Sequence, residues 1–233
     1  RDKEILEIGP GTGNLTSEIL NKKPKKFFIV EKDKNLMVLL KKKFNEKVFY
    51  INEDVLNISE KNLTKNKLIV FGNLPYNIST EILTKWIINL DKDFWFEKLV
   101  LMFQKEVADR IISGHNSSEY GRLSIISNWK LNIKKIIDIK PTSFTPIPKV
   151  DSTLLVFEPK KNFFKLKKAQ SLEKITKIFF NQRRKKIKKP MKMIFNNSEN
   201  IADKLNIDLN LRPQNLNLET YYKIAEEFEK LGK

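Results

Sequence analysis

Asn73-Leu74-Pro75-Tyr76 is the stretch of this chain best equipped for chemistry. It follows the apolar run Lys67-Leu68-Ile69-Val70-Phe71, which reads as a buried strand, and precedes a helical pattern. A polar amide, a rigid proline and an aromatic ring at a strand exit can hold a flat, hydrogen-bonding group such as a nucleic-acid base. The exocyclic amine of adenine is a poor nucleophile, because its lone pair is delocalised into the ring. Alkylating it requires acceptors that hold its N–H groups and turn the lone pair toward the electrophile. The Asn73 side-chain oxygen and a backbone carbonyl near Pro75 have that capacity. No charged base is needed, since the proton leaves after the new bond forms. Tyr76 offers a stacking face, worth roughly 1–3 kcal/mol per base, which helps offset the few kcal/mol that extruding a base costs. Taken alone, the same four residues also fit a proline turn with a surface tyrosine.

A second group lies upstream. In Glu7-Ile8-Gly9-Pro10-Gly11-Thr12-Gly13 the glycines follow a first apolar strand and let backbone approach a ligand closely. The spacing is G-x-G-x-G, not the dinucleotide G-x-G-x-x-G, and a tight strand-to-helix turn would look the same. Glu31 closes the second strand, where an acid can accept both hydroxyls of a ribose. Asp54 follows the third strand, where a carboxylate can accept from an adenine amino group. Each acid alone could be a solvated loop charge. Three such features in successive strand–helix units describe an adenosine-containing ligand across the carboxyl ends of the strands.

The elements that must position these residues are legible as alternation. Strands are expected at Glu4–Ile8, Phe27–Glu31, Lys47–Ile51, Leu68–Phe71, Lys98–Phe103, Lys130–Ile139 and Ser152–Phe157. Asp33 can cap a helix in which Met37, Leu40 and Phe44 share a face. Ser79 can cap another, with Glu81 in its first turn and an apolar stripe of Ile82, Leu83, Trp86, Ile87 and Leu90. Such alternation argues for parallel strand–helix–strand units in a doubly wound α/β sheet. Pro141–Val150 joins the last two strands without a clear helix, so that end of the sheet is expected to be antiparallel. After Pro159 only helical periodicity remains. Ile175, Ile178 and Phe179 share one face; Leu218, Tyr221, Tyr222, Ala225 and Phe228 share another. Pro190 and Pro213 are expected to interrupt helices. The reading is a catalytic domain over residues 1–160 and a small domain of about four helices over 161–233.

Composition narrows the chemistry. The chain has 233 residues, no Cys and a single His, His115, in a polar loop. Disulfides, thiolate catalysis and Cys-based zinc sites are excluded, and no metal site is expected. No apolar run approaches the roughly 20 residues of a membrane span. The formal net charge of +17 points to a polyanionic partner, nucleic acid before membrane, although a Lys-, Asn- and Ile-rich composition also arises from an AT-rich genome. The densest charge is Arg183-Arg184-Lys185-Lys186-Ile187-Lys188-Lys189, which reads as a phosphate-binding run or as a solvated helix face.

Taken together, these residues resemble a known family. Asn-Leu-Pro-Tyr is similar to the acceptor motif of S-adenosylmethionine-dependent adenine-N6 methyltransferases, and Gly72–Thr80 resembles that of the ribosomal RNA adenine dimethyltransferases. Four further strings agree: Gln104–Arg110, Tyr120–Ser124, Phe144-Thr145-Pro146-Ile147-Pro148-Lys149-Val150-Asp151-Ser152 and Asn181–Lys185. Their combination resembles the KsgA branch, which dimethylates two adjacent adenosines near the 3′ end of small-subunit (16S) ribosomal RNA. The resemblance implies a Rossmann-like methyltransferase sheet with a helical C-terminal domain, S-adenosylmethionine as cofactor, and a cytoplasmic monomer that acts on a small ribosomal subunit precursor. It implies that Glu7, Gly9 and Gly11 line the methionine part of the cofactor, Glu31 holds the ribose and Asp54 holds the adenine. Asn73 then bridges cofactor and target amine. Phe144, which by itself reads as a core residue, stacks on the target base opposite Tyr76. Arg183, Arg184 and Lys185 are the implied RNA contacts.

Two departures stand out. Glu53 occupies the position before Asp54 where the family usually has Gly, adding a charge near the cofactor adenine. The chain also begins at Arg1-Asp2-Lys3, without the segment that in this family precedes the first strand and folds over the cofactor; weaker cofactor binding is expected from such a chain. The alternatives are a macrolide-resistance-type enzyme acting on large-subunit RNA and a non-catalytic ribosome-assembly factor with the same fold.

Overall fold

A computed structural model describes residues 2–44, 48–90, 93–144 and 147–232. Two compact units are present. One comprises residues 1–86, 90–108 and 132–159; the other comprises 87–89, 109–131 and 160–233.

The first unit is built on a seven-stranded sheet: β1 (Glu4–Ile8), β2 (Lys26–Val30), β3 (Phe49–Ile51), β4 (Leu68–Gly72), β5 (Phe96–Gln104), β6 (Leu131–Ile139) and β7 (Ser152–Pro159), in the order β3-β2-β1-β4-β5-β7-β6. All seven expected strands are present, the first with the expected bounds and the others with described ends shifted by at most two residues. Lys47, the expected start of the third strand, lies outside the described residues. Strands β1 to β5 are parallel, and β7 runs antiparallel to β5, pairing Leu99 with Phe157 and Gln104 with Ser152. The antiparallel end suits the short connection 140–151, whose described residues hold only a short 3-10 turn at Pro141–Ser143, too little for a parallel crossover. All five residues of β1 are buried, as suits a central strand covered on both faces.

This strand order creates the site. From β1 the chain winds outward through β2 to β3, then returns to β4 on the other side of β1. The crevice at the carboxyl ends of β1 and β4 is therefore a topological switch point, the usual ligand position in such sheets. The glycine loop leaves β1 there, and Asn73 leaves β4 there.

Flanking helices fix the loop ends. The helix α1 (Asn14–Asn21) starts from Gly13 in the left-handed conformation. The helix α2 (Lys34–Phe44) is capped as expected: the Asp33 carboxylate accepts from the backbone N–H of Asn35 at 2.7 Å and of Leu36 at 3.0 Å. Met37 and Leu40 are buried, and Phe44 packs against the same core as Phe27 and Ile29. The helix α3 (Ser79–Ile88) begins at Ser79 itself, so Ser79 is its first residue and not its cap. Its hydroxyl instead donates to the Tyr76 carbonyl at 3.1 Å and ties the helix back to the motif.

The second unit is helical. It includes α5 (Arg122–Lys130), α6 (Ala169–Phe180), α7 (Lys188–Ile194), α8 (Ser198–Leu205) and α9 (Leu218–Lys230), while α4 (Lys105–Ile112) has residues in both units. Aromatic edges lock α6 to α9, with the Phe179 and Tyr221 rings 5.5 Å apart. The Tyr222 hydroxyl donates to the Ile125 carbonyl at 3.2 Å, which fastens α5 into this unit. Pro190 does not interrupt a helix. It is the third residue of α7, in the first turn, where its missing N–H would have had no partner. Pro213 opens a short 3-10 turn between α8 and α9.

Candidate active site

Ten residues surround a cavity of about 430 Å³ at the switch point: Gly9, Gly11, Glu31, Leu36, Asn73, Leu74, Pro75, Tyr76, Phe144 and Pro148. Six of these positions were expected from sequence to hold cofactor or base in addition to Gly9: Gly11, Glu31, Asn73, Pro75, Tyr76 and Phe144. Leu36, Leu74 and Pro148 complete the apolar lining. Leu74 and Pro148 lie inside the motif strings, but their types carry no polar chemistry, and nothing in the pattern marked Leu36.

The strand ends are laced together by backbone. Gly9 N–H donates to the Val30 carbonyl at 3.1 Å, and Glu31 N–H donates to the Ile51 carbonyl at 3.1 Å. The Asn52 amide donates to the Glu31 carbonyl at 2.8 Å. The Glu31 carboxylate accepts from Asp33 N–H at 2.9 Å, which orients it at the cavity wall.

Gly9 joins the two loops. Its φ is +67°, and a Cβ built there would stand 2.9 Å from the Asn73 carbonyl oxygen. Only glycine permits that approach. At Gly11 φ is +59°, yet a Cβ would meet nothing within 4 Å. The loop thus presents open, side-chain-free backbone to the cavity, with a carboxylate at Glu31 on its far wall. A cradle of this kind fits the methionine and ribose portions of S-adenosylmethionine.

On the acceptor side, Pro75 carbonyl accepts from Ile78 N–H at 3.1 Å, closing the turn before α3. One of its two lone pairs is therefore engaged within the protein. Phe144 sits where its N–H donates to the Pro141 carbonyl at 3.1 Å, at the end of a 3-10 turn. Thr145 and Pro146 lie outside the described residues.

Three sequence-derived positions behave differently from expectation. Glu7 does not line the cavity. It is 2% exposed, and its carboxylate accepts from the Thr16 hydroxyl at 2.7 Å, which ties β1 to α1 beneath the glycine loop. Burial pushes its carboxyl up to about 7, and the Thr16 hydrogen bond opposes that shift. The folded chain therefore holds this proton more tightly than the unfolded chain, and stability falls as pH rises from about 4.5 to about 7. Glu7→Gln keeps the Thr16 contact and removes the ionisation. It is expected to flatten that part of the profile and to stabilise the protein above pH 7 by about 3 kcal/mol, read from urea midpoints at several pH values.

Asp54 also stands outside the cavity lining. Its carboxylate accepts from Lys32 Nζ at 2.8 Å and from Leu56 N–H at 2.9 Å, and these bonds hold it below the usual carboxylate range. Lys32 is largely exposed, so opening that pair to admit another donor is inexpensive. Glu53 turns its carboxylate onto the Asp54 N–H at 3.0 Å. Arg183 is drawn into the protein: it donates to Gln214 Oε1 at 3.2 Å and to the carbonyls of Ser117 and Ser118. Arg184 and Lys185 remain exposed. Lys185 joins Lys186, Lys188, Lys189 and Lys192 around a second cavity of about 620 Å³ in the helical unit, with Gln182 and the exposed Met193.

Residues 1–230 match the model of the ribosomal RNA adenine dimethylase family. The chain belongs to that family. Among curated relatives, it is 63% identical over 230 residues to the ribosomal RNA small subunit methyltransferase A of Pelagibacter ubique, covering 99% of this chain and 88% of that protein. The protein of the same name from Ehrlichia canis is 41% identical over 229 residues, covering 96% and 86%. Among solved structures, a dimethyladenosine transferase from Plasmodium falciparum superposes with a TM-score of 0.79 at 26% identity, covering 99% of this chain and 91% of that one. The 23S rRNA methyltransferase ErmE shares the fold, with a TM-score of 0.68 at 20% identity, covering 100% and 92%. Members of this dimethylase family use a Rossmann-like sheet and S-adenosylmethionine, and the switch-point cavity is where this chain's sheet would bind it. Among the described residues, no helix is long and apolar enough to cross a membrane.

Proposed function

We propose that this chain transfers methyl groups from S-adenosylmethionine to N6 of two adjacent adenosines near the 3′ end of small-subunit ribosomal RNA. It acts as a cytoplasmic monomer on a small-subunit precursor. The observation that carries the reading is the single cavity in which the glycine loop and Glu31 meet Asn73, Tyr76 and Phe144. The small-subunit target rests on the 63% identity to a small subunit methyltransferase.

S-adenosylmethionine would supply a methyl group on a cationic sulfur: as the N6–C bond forms the S–C bond breaks, a neutral thioether leaves, and the N6 cation then releases its proton to solvent. The protein's own part is placement. Gly9 and Gly11 offer backbone, and Glu31 accepts from the ribose. Asn73, whose backbone carbonyl packs against Gly9, accepts from the N6 amine with its side-chain oxygen, and a Leu74–Pro75 carbonyl accepts from the second N–H. These acceptors stabilise the positive charge that develops on N6. Tyr76 and Phe144 sandwich the extruded base. Glu7 serves the loop from beneath, through its hydrogen bond to Thr16. Arg184 and the exposed lysines around the second cavity supply phosphate contacts, while Arg183 holds the 117–118 loop.

The test supplies purified small and large ribosomal subunits separately with the protein and methyl-labelled cofactor. Label is expected in small-subunit RNA. Label confined to large-subunit RNA would replace this reading with the macrolide-resistance type, and no label on either would remove the enzymatic reading.

A further inference from the structure

Tyr76 is held from behind. Its hydroxyl and that of Ser152 share a hydrogen bond of 2.6 Å. Ser152 is completely buried and is the first residue of β7, opposite Gln104 of β5. The preceding residue, Asp151, is fixed twice. Its carbonyl accepts from Lys105 N–H at 2.9 Å, and its carboxylate accepts from Lys140 Nζ at 3.1 Å. Ser152 therefore stands on the sheet at the root of the loop that carries Phe144 and Pro148, and its hydroxyl reaches the residue on the facing wall of the cavity.

A phenol oxygen lies on the long axis of its ring. A hydrogen bond there leaves the ring free to flip about that axis but restrains its swing and tilt. With its hydroxyl engaged, Tyr76 presents only its ring to the base, at an angle set by the sheet. The two transfers to one amine depend on that ring unequally. An unmethylated N6 has two N–H groups for the acceptors at Asn73 and Leu74–Pro75. After the first transfer it has one, so the base loses a hydrogen bond and its orientation leans more heavily on stacking.

We infer that Ser152 is a positioning residue which, through the Tyr76 hydroxyl, sets the stacking face and chiefly serves the second methyl transfer. The inference rests on the proposed dimethylation. Ser152→Ala, Tyr76→Phe and the double variant are assayed on small ribosomal subunits, and the RNA is digested to nucleosides for mass spectrometry at matched total methyl incorporation. Each single variant is expected to slow methylation by about 2- to 10-fold, the equivalent of one neutral hydrogen bond. Each is also expected to raise the ratio of N6-methyladenosine to N6,N6-dimethyladenosine several-fold. The double variant should be no worse than Tyr76→Phe, since Ser152 acts through the hydroxyl already removed.

A general loss of folded enzyme would slow both transfers equally and leave the ratio at matched incorporation unchanged. That unchanged ratio, or an additive loss in the double variant, overturns the inference. If Ser152→Ala does not fold, Tyr76→Phe leaves the buried serine packed and decides the question by its ratio alone. A wild-type protein that makes no dimethyladenosine overturns the proposed function instead.

Discussion

Replacing Asn73 with Ala lowers methyl transfer by about 10²–10³-fold, the scale on which one preorganised group facing developing charge contributes, and leaves RNA affinity unchanged. The side chain is exposed at the cavity wall, so its removal disturbs no core packing. The Asn73 backbone carbonyl that confronts Gly9 is retained, so the two loops keep their register. The lysines of the second cavity belong to the helical unit, and their charge is untouched. Single-turnover methylation together with filter binding of small-subunit RNA separates the two effects. Methyl transfer at the wild-type rate in this variant would show that the amine is held by something else.

Replacing Gly9 with Ala is the second large effect, and it acts on cofactor and acceptor at once. The added Cβ must sit 2.9 Å from a backbone oxygen, in a conformation with φ of +67° that side chains disfavour. The atom in the way is backbone, so no flexible side chain can yield. Strain of about 1–3 kcal/mol is relieved only by moving one loop against the other. Displacement by 1 Å at a reacting centre costs about 100-fold in rate, so turnover falls even at saturating cofactor. The Kd for S-adenosylhomocysteine is expected to rise at least about 10-fold, or 1.4 kcal/mol, by calorimetry. Gly11→Ala is the internal comparison: it shares the positive φ but meets open space, and a smaller effect is expected. Wild-type cofactor affinity in Gly9→Ala would contradict the loop-to-loop contact.

Much of this was legible in the sequence because the relevant physics is local. Central parallel strands buried on both faces, such as β1, read as apolar runs, and the remaining strands stood out by their alternation with helical or turn segments. The Asp33 cap is a contact two and three residues long. The glycine loop and Glu31 lie at strand ends that the alternating pattern already fixes. Long-range features were hidden. The Thr16 hydroxyl that meets the Glu7 carboxylate has no mark in the motif. The Ser117 and Ser118 carbonyls and the Gln214 side chain that receive the Arg183 guanidinium lie 31 to 66 residues away. The helix α5 is buried around most of its circumference, from Ser124 to Ser127 and at Trp129 and Lys130, so it shows no amphipathic stripe. Ser152 carries no local signal, because its partner lies 76 residues away in sequence. Phe144 was marked by family resemblance and not by pattern. It lies on a proline-rich connection, where a ring is as easily core as contact.

The most direct measurement is nucleoside mass spectrometry with position mapping, on small-subunit RNA treated with the protein and S-adenosylmethionine. The expected result is N6,N6-dimethyladenosine at two adjacent adenosines near the 3′ end, formed about 10²–10³-fold more slowly when Asn73→Ala is used. Methylation at another atom or another position, or the same product at the wild-type rate from Asn73→Ala, would contradict the assignment of the switch-point cavity as an adenine-N6 acceptor site.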